Sequence, residues 1–274
     1  MARDEEREHA GALSGAADGA AFRLDGRTAL VVGASRGIGL GIAETLHAAG
    51  ARVALAARSG EALVAAAERL RGVGPDASAF PVDVRSVAAV RGLVSAVHEQ
   101  LGRIDILVNS AGLNVRKPAD EIGEEEWEEV FAINVRAMFF ACQAAARVMR
   151  GHGGGCMLNV ASGADLLTVA DVAPYAISKA GVRQLTRSLA AEWARDGIRV
   201  NAIAPGRIRT EQTEAVFADP ARHAELLRAI PQGRAGLPGD LAGAVLLLVA
   251  DAGAYITGQT LSIDGGRNLG LVGA

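Results

Sequence analysis

Thr28-Ala29-Leu30-Val31-Val32-Gly33-Ala34-Ser35-Arg36-Gly37-Ile38-Gly39 decides the fold. A short run, apolar nearly throughout, leads directly into a glycine-rich turn. Such a run fits a strand buried on both faces. The glycines let the backbone turn tightly and come close to a ligand. A helical pattern opens near Gly37, and its first turn offers free N–H groups and the positive end of a dipole. Strand, glycine turn and helix in this order form a phosphate cradle. The spacing here is Gly-x-x-x-Gly-x-Gly rather than the commoner Gly-x-Gly-x-x-Gly.

Working outward, further strands are predicted at Arg52–Ala57, Ser78–Val82, Ile104–Asn109, Cys156–Ala161, Arg199–Ile203 and Thr260–Ile263. Ala- and Leu-rich stretches of helical length lie between most of them. That alternation predicts a single α/β domain: a doubly wound, Rossmann-type parallel sheet of about seven strands with helices on both faces. Ligands in such sheets sit beyond the carboxyl ends of the strands. Residues 1–22 are Ala-, Gly- and charge-rich and read as a disordered tail ahead of a catalytic domain at 23–274. They lack the apolar core of a signal peptide.

The chain has 274 residues, half of them apolar, and a net charge of −3. One large core fits that length. No basic cluster marks a nucleic-acid partner. The longest apolar run, Leu241–Ala250, is too short to span a membrane. The five histidines (9, 47, 98, 152, 223) lack ligand spacing, so no metal is expected. Cys142 and Cys156 lie in apolar runs and read as buried thiols of a cytoplasmic protein.

Several strand ends carry polar residues. Asp83-Val84 follows the third strand, where the carboxylate either caps a helix or accepts from an adenine amino group. Asn109-Ser110-Ala111-Gly112 follows the fourth and reads as an ordinary turn or as close backing for a cofactor. Asn134 interrupts the apolar helix pattern Val130–Val135 and must bond something specific. Ser162 ends the fifth strand, as a turn residue or as a donor to a substrate oxygen. Glu124–Glu129 reads as a charged helix start around a buried indole, Trp127.

Tyr175 and Lys179 stand one helical turn apart, on one face of a helix. The chain has only two lysines, Lys117 and Lys179, among 28 basic residues. A nearby ammonium favours phenolate and lowers a tyrosine pKa, which suits general acid/base work.

Together these residues resemble the short-chain dehydrogenase/reductase family over roughly Phe22 to the end. The resemblance implies an oxidoreductase that moves hydride between a nicotinamide and a ketone or secondary alcohol. It implies a catalytic tetrad of Asn134, Ser162, Tyr175 and Lys179, with Asn134 holding a water that links Lys179 to solvent. Lys179 would also hold the nicotinamide ribose. Gly33, Gly37 and Gly39 would line the pyrophosphate and Asp83 would meet the adenine, with Ser35, Arg36, Ile38, Arg58, Val84 and Tyr175 also among the cofactor contacts. Asn109, Ala111 and Gly112 would back the cofactor, while Pro205, Gly206, Ile208 and Thr210 would meet the carboxamide. A homotetramer is implied, built on Ala137–Val148 and Ala180–Ala194. Two departures stand out: Val32 where threonine is common, and Ser110 where a second asparagine is usual.

Ala57 occupies the end of the second strand, where an acidic residue would bind ribose hydroxyls. Arg58 follows it, and Arg36 sits in the glycine loop. Two guanidiniums suit a 2′-phosphate, so NADP(H) is expected over NAD(H). Arg116 and Lys117 either steer a carboxylate or are solvated charge. Within the family the residues lean toward gluconate 5-dehydrogenase-like and deoxygluconate dehydrogenase-like members, hence toward a sugar acid or polyol. The alternatives are a 3-oxoacyl-thioester reductase, a secondary-metabolite ketoreductase and a non-catalytic cofactor-binding sensor. Residues 207–236, with Val216, Phe217, Leu226, Leu227 and Ile230, read as a substrate lid.

Overall fold

The computed structural model describes residues 19–167, 170–211, 213, 214, 217 and 219–269. Seven strands form one sheet: β1 (Thr28–Val32), β2 (Arg52–Ala57), β3 (Ala77–Pro81), β4 (Ile106–Asn109), β5 (Gly155–Val160), β6 (Ile198–Pro205) and β7 (Thr260–Ile263). Their order is β3-β2-β1-β4-β5-β6-β7, and every pair is parallel. The order reverses at β1, whose neighbours β2 and β4 leave a crevice at its carboxyl end.

The helices are α1 (Gly37–Ala48), α2 (Gly60–Arg71), α3 (Val87–Leu101), α4 (Glu124–Phe131), α5 (Ala137–Arg150), α6 (Ala173–Trp193), α7 (Pro220–Arg228) and α8 (Ala242–Val249). Alternate residues of β1 face opposite cores, because side chains alternate along a strand. Leu30 and Val32 join the core under α3, α5 and α6. Ala29 and Val31 join the core under α1, α2 and α8. β1 is buried along its whole length, whereas the edge strands β3 and β7 are partly exposed.

Local chemistry sets several boundaries. The Thr28 N–H donates to Asp105 Oδ2 at 2.8 Å, tying the start of β1 to the approach to β4. Ile104 and Asp105 therefore serve as an anchor, and β4 begins two residues later than the apolar run predicts. β3 ends at Pro81 rather than Val82, although the Val82 N–H still donates to the Ala57 carbonyl at 2.9 Å. Ser86 caps α3 by accepting from the Ala89 N–H at 3.2 Å, so the cap is Ser86 and not Asp83.

Two expectations are corrected. Ala20–Phe22 forms a 3₁₀ turn, and the Leu24 behind it is fully buried. Residues 19–22 of the segment read as a tail are thus structured, while residues 1–18 lie outside the described residues. Trp127 is 37 % exposed rather than buried. It stacks on Phe131 with ring centroids 4.5 Å apart, because the turn of α4 that carries it faces outward.

Candidate active site

A cleft of about 1010 Å³ runs across the carboxyl ends of the strands. A pocket for one small ligand spans roughly 300–1,000 Å³, and this one stands at the top of that range.

Bare backbone forms one wall. Gly33 has φ +89°, and a Cβ there would lie 2.5 Å from the Ala111 nitrogen. A Cβ on Gly39 would lie 2.1 Å from the Gly33 carbonyl oxygen. No side chain fits at either position, and the α1 N-terminus opens directly onto the turn. Ser35, Arg36, Ile38 and Gly39 line the cleft with Gly33. Gly37 does not; a Cβ there would meet Thr210 at 3.6 Å, beneath the base of the lid. Arg58 and Ser59 continue the wall past Ala57, followed by Asp83 and Val84.

Asp83 is an ion-pair partner as well as a wall residue. Its carboxylate accepts from the Arg85 backbone N–H at 3.0 Å and from the Arg85 guanidinium. The Arg85 hydrogen bonds hold its pKa below the usual carboxylate range.

The far end gathers Ser162, Tyr175 and Lys179 with Ala111, Gly112, Pro205, Gly206, Ile208 and Thr210. Pro174 sits in the first turn of α6, where a missing N–H costs nothing, and sets Tyr175 at the helix mouth. Lys179 Nζ donates to the Val160 carbonyl at 2.8 Å and lies 5.6 Å from the Tyr175 ring centroid. The ammonium is 3 % exposed, and burial lowers its pKa to about 8.

Burial also raises the Tyr175 pKa, since a phenolate loses water there. A hydrogen bond with Ser162 and the charge of Arg207 pull it back down, while Asp165 pushes it up. Lys179, to which the sequence assigns a downward pull on the phenol, holds its Nζ on the Val160 carbonyl beside the ring.

Asn134 and Asn109 sit behind the cleft. Asn134 lies in a π-helical turn, Ala132–Arg136, between α4 and α5. Its Nδ2 donates to the Leu113 carbonyl and to Ser178 Oγ, both at 2.9 Å, and its Oδ1 accepts from the Leu113 N–H at 2.8 Å. Ser178 in turn donates to the Tyr175 carbonyl at 2.7 Å. Both N–H donors of the Asn134 amide are thus taken by protein. The amide ties the loop after β4 to the tyrosine helix. Asn109 does not line the cleft. Its Nδ2 donates to Asn159 Oδ1 at 3.0 Å and to Cys142 Sγ at 3.2 Å, in a buried polar layer beneath.

Of the two loop cations, only Arg116 reaches the cleft; Lys117 pairs with Glu126 at 2.5 Å. Two cationic cleft residues were given no role by the sequence reading, Arg207 and Arg267. Arg207 lay within the recognised Pro205–Thr210 phrase without a role of its own. Arg267 follows the terminal Gly265-Gly266 turn, which gives no chemical signal. Phe217 is buried and lines the cleft, and Ile230 is buried as well. Val216 lies outside the described residues. Gly236 ties the ends of the 207–236 segment together: its N–H donates to the Arg207 carbonyl at 2.9 Å and its carbonyl accepts from the Arg209 N–H at 2.8 Å.

Known proteins share this arrangement. Residues 33–268 match a family model described as enoyl-(acyl carrier protein) reductase. Gluconate 5-dehydrogenase of Gluconobacter oxydans (strain 621H) is 39 % identical over 250 residues, covering 91 % of this chain and 98 % of that one. D-threitol dehydrogenase of Mycolicibacterium smegmatis is 41 % identical over 248 residues, covering 90 % and 95 %. The solved gluconate 5-dehydrogenase from Burkholderia cenocepacia J2315, in complex with NADP and tartrate, superposes with a TM-score of 0.88 at 39 % identity, covering 92 % and 98 %. Among the described residues, no helix is long and apolar enough to cross a membrane. With its doubly wound sheet, bare glycine cradle and Ser–Tyr–Lys cleft, the chain belongs to the short-chain dehydrogenase/reductase family and is an NAD(P)-dependent oxidoreductase.

Proposed function

We propose that this protein is an NADP(H)-preferring dehydrogenase of polyols or sugar acids. One observation carries the reading. A single cleft runs from Arg36 and Arg58, which have no ion-pair partner among the described residues, past the glycine cradle to Ser162, Tyr175 and Lys179. The names of the relatives above support the substrate class.

The nicotinamide, when bound, gives or takes the hydride at the substrate carbon. Tyr175 moves the proton at its phenolic oxygen. Ser162 donates to the substrate oxygen as charge develops there. Lys179 supplies a cation beside the ring and a donor for ribose hydroxyls. Asn134 positions Leu113 and, through Ser178, the start of α6. The cradle of Gly33, Ser35, Ile38 and Gly39 takes the pyrophosphate at the α1 N-terminus. Val84 and Asp83 flank the adenine, and Ala111 and Gly112 back the nicotinamide half. Pro205, Gly206, Ile208 and Thr210 bound the carboxamide side.

Ala57 leaves no carboxylate at the end of β2 to repel a 2′-phosphate, and Arg58 and Arg36 offer two guanidiniums. We expect kcat/KM for NADP(H) to exceed that for NAD(H) at least ~10-fold, in line with one charge-assisted contact. Arg58→Glu should invert the ratio. Wild-type preference for NAD(H) would overturn the cofactor assignment. A 340 nm screen over polyols, sugar acids and acetoacetyl thioesters tests the substrate class, and turnover of thioesters alone would overturn it.

A homotetramer is part of the proposal. Trp127 and Phe139 are each 37 % exposed and Ile177 is 50 % exposed, on the neighbouring helices α4, α5 and α6. Large apolar side chains grouped on adjacent helices mark an association face. Light scattering should give four times the chain mass; a monomer would refute it. Both thiols are free and buried, in keeping with work in the cytoplasm.

A further inference from the structure

Three arginines converge on the reacting end of the cleft from three distant parts of the chain. Arg116 comes from the loop after β4, Arg207 from the end of β6, and Arg267 from the terminal 3₁₀ turn. The terminal turn is fixed by Asp264, whose carboxylate accepts from the Gly266 and Asn268 N–H groups, both at 2.9 Å. That carboxylate is spent on the backbone, and the turn it braces carries Arg267 to the cleft.

None of the three guanidiniums has an ion-pair or hydrogen-bond partner among the described residues. Elsewhere arginines are readily paired: Arg23, Arg69, Arg150 and Arg234 all hold carboxylates. Arg207 is the most constrained of the cluster. It is half-buried, and its Nε is fully buried without a partner. It stands between the main cleft and a smaller cavity of about 420 Å³ at the lid base. Native structures rarely leave a buried donor unsatisfied, and such a donor points to a group that completes it. The cluster also repels itself: burial, then the charges of Arg267 and Arg116, lower the Arg207 pKa. Of the acidic side chains on the cleft wall, Asp83 and Glu129 are held by Arg85, and Glu211 is exposed.

We infer that Arg207, flanked by Arg116 and Arg267, forms a subsite for the carboxylate of a hydroxy- or oxo-acid whose carbinol meets Tyr175. An anion there relieves the mutual repulsion and engages the orphaned Nε, and a guanidinium fork matches a carboxylate in two hydrogen bonds. Arg207 lines the same cleft as Tyr175, and its charge bears on the phenol. This rests on the hydride-transfer reading above and narrows it from polyols in general to acids.

The test compares skeletons matched in all but charge. Tartrate and threitol are titrated calorimetrically into the NADP⁺-loaded wild type and into Arg207→Met and Arg207→Lys. Oxidation of threonate and threitol is followed at 340 nm in parallel. We expect tartrate to bind the wild type at least ~10-fold more tightly than threitol, and to lose ~30-fold in Arg207→Met. Arg207→Lys should recover part of that loss. The threonate-to-threitol ratio of kcat/KM should fall by a similar factor in Arg207→Met. Equal affinities in the wild type, or tartrate binding unchanged in a folded Arg207→Met, overturn the subsite. Turnover of threitol with no advantage for threonate removes the subsite and keeps the hydride-transfer reading. Arg207-dependent tartrate binding without oxidation of any alcohol does the reverse.

Discussion

Tyr175→Phe is expected to lower kcat/KM by roughly 10³-fold or more, within the range of general acid–base catalysis, while the melting temperature and NADP(H) affinity stay close to wild type. The ring itself packs at the mouth of α6 and is kept by phenylalanine. What leaves is the one phenolic oxygen, balanced between burial, which raises its pKa, and the Ser162 and Arg207 contacts, which lower it. No other group at that end of the cleft can replace it. Lys179 bonds the Val160 carbonyl, and Ser162 accepts from the Ala164 N–H at 3.2 Å. Steady-state rates at 340 nm, with cofactor affinity from fluorescence titration, decide the matter. Turnover within tenfold of wild type would sink the role given to Tyr175.

The second large effect runs in two directions at once. Lys179→Met should abolish most turnover and yet raise stability at pH 7. The Lys179 pKa falls from 10.5 to about 8 in the fold. Its folded pKa is depressed, so below about pH 8 the folded chain carries a buried ammonium that the unfolded chain solvates freely. At 1.36 kcal/mol per pKa unit that costs roughly 3 kcal/mol at neutral pH. The cost fades as pH rises from 8 to 10.5 and the ammonium loses its proton. Methionine keeps the side-chain volume and removes the charge, but leaves the Val160 carbonyl without its donor, at about 1 kcal/mol. A net gain of roughly 2 kcal/mol is expected at pH 7, read from urea unfolding, and it should shrink at pH 10. A variant less stable than wild type at pH 7 would contradict this account. The buried ammonium is then a site where stability is traded for chemistry.

The architecture was legible because its signals are local and repeated. β1, β2 and β7 begin and end where their apolar runs do, and α1 opens at Gly37 as the glycine turn requires. Boundaries slipped where a tertiary contact intervened, as at Asp105, which closes on Thr28 and shortens β4. Trp127 was misplaced because a charged helix start says nothing of which face meets the body. Tyr175 and Lys179 could be placed together from their helix-turn spacing, whereas Ser162 joined them only through the family resemblance. Asn134 could be singled out as an amide in an apolar run, but its partners, Leu113 and Ser178, depend on a π-helical turn that no spacing announces. The arginine cluster was illegible as a cluster. Arg116 drew notice beside Lys117, yet the fold separates them, giving Lys117 to Glu126 and bringing Arg207 and Arg267 to Arg116.

The strand order has a consequence for how the molecule is made. β1 pairs with β2 soon after both leave the ribosome, but its other edge waits for β4, as Ala29 faces Ile106. Synthesis proceeds at about 5–20 residues per second, so β1 carries an open, fully apolar edge for several seconds. Unpaired edges of that kind invite pairing with another chain. The cradle is complete once β4 closes, whereas Ser162, Tyr175 and Lys179 are still to be translated.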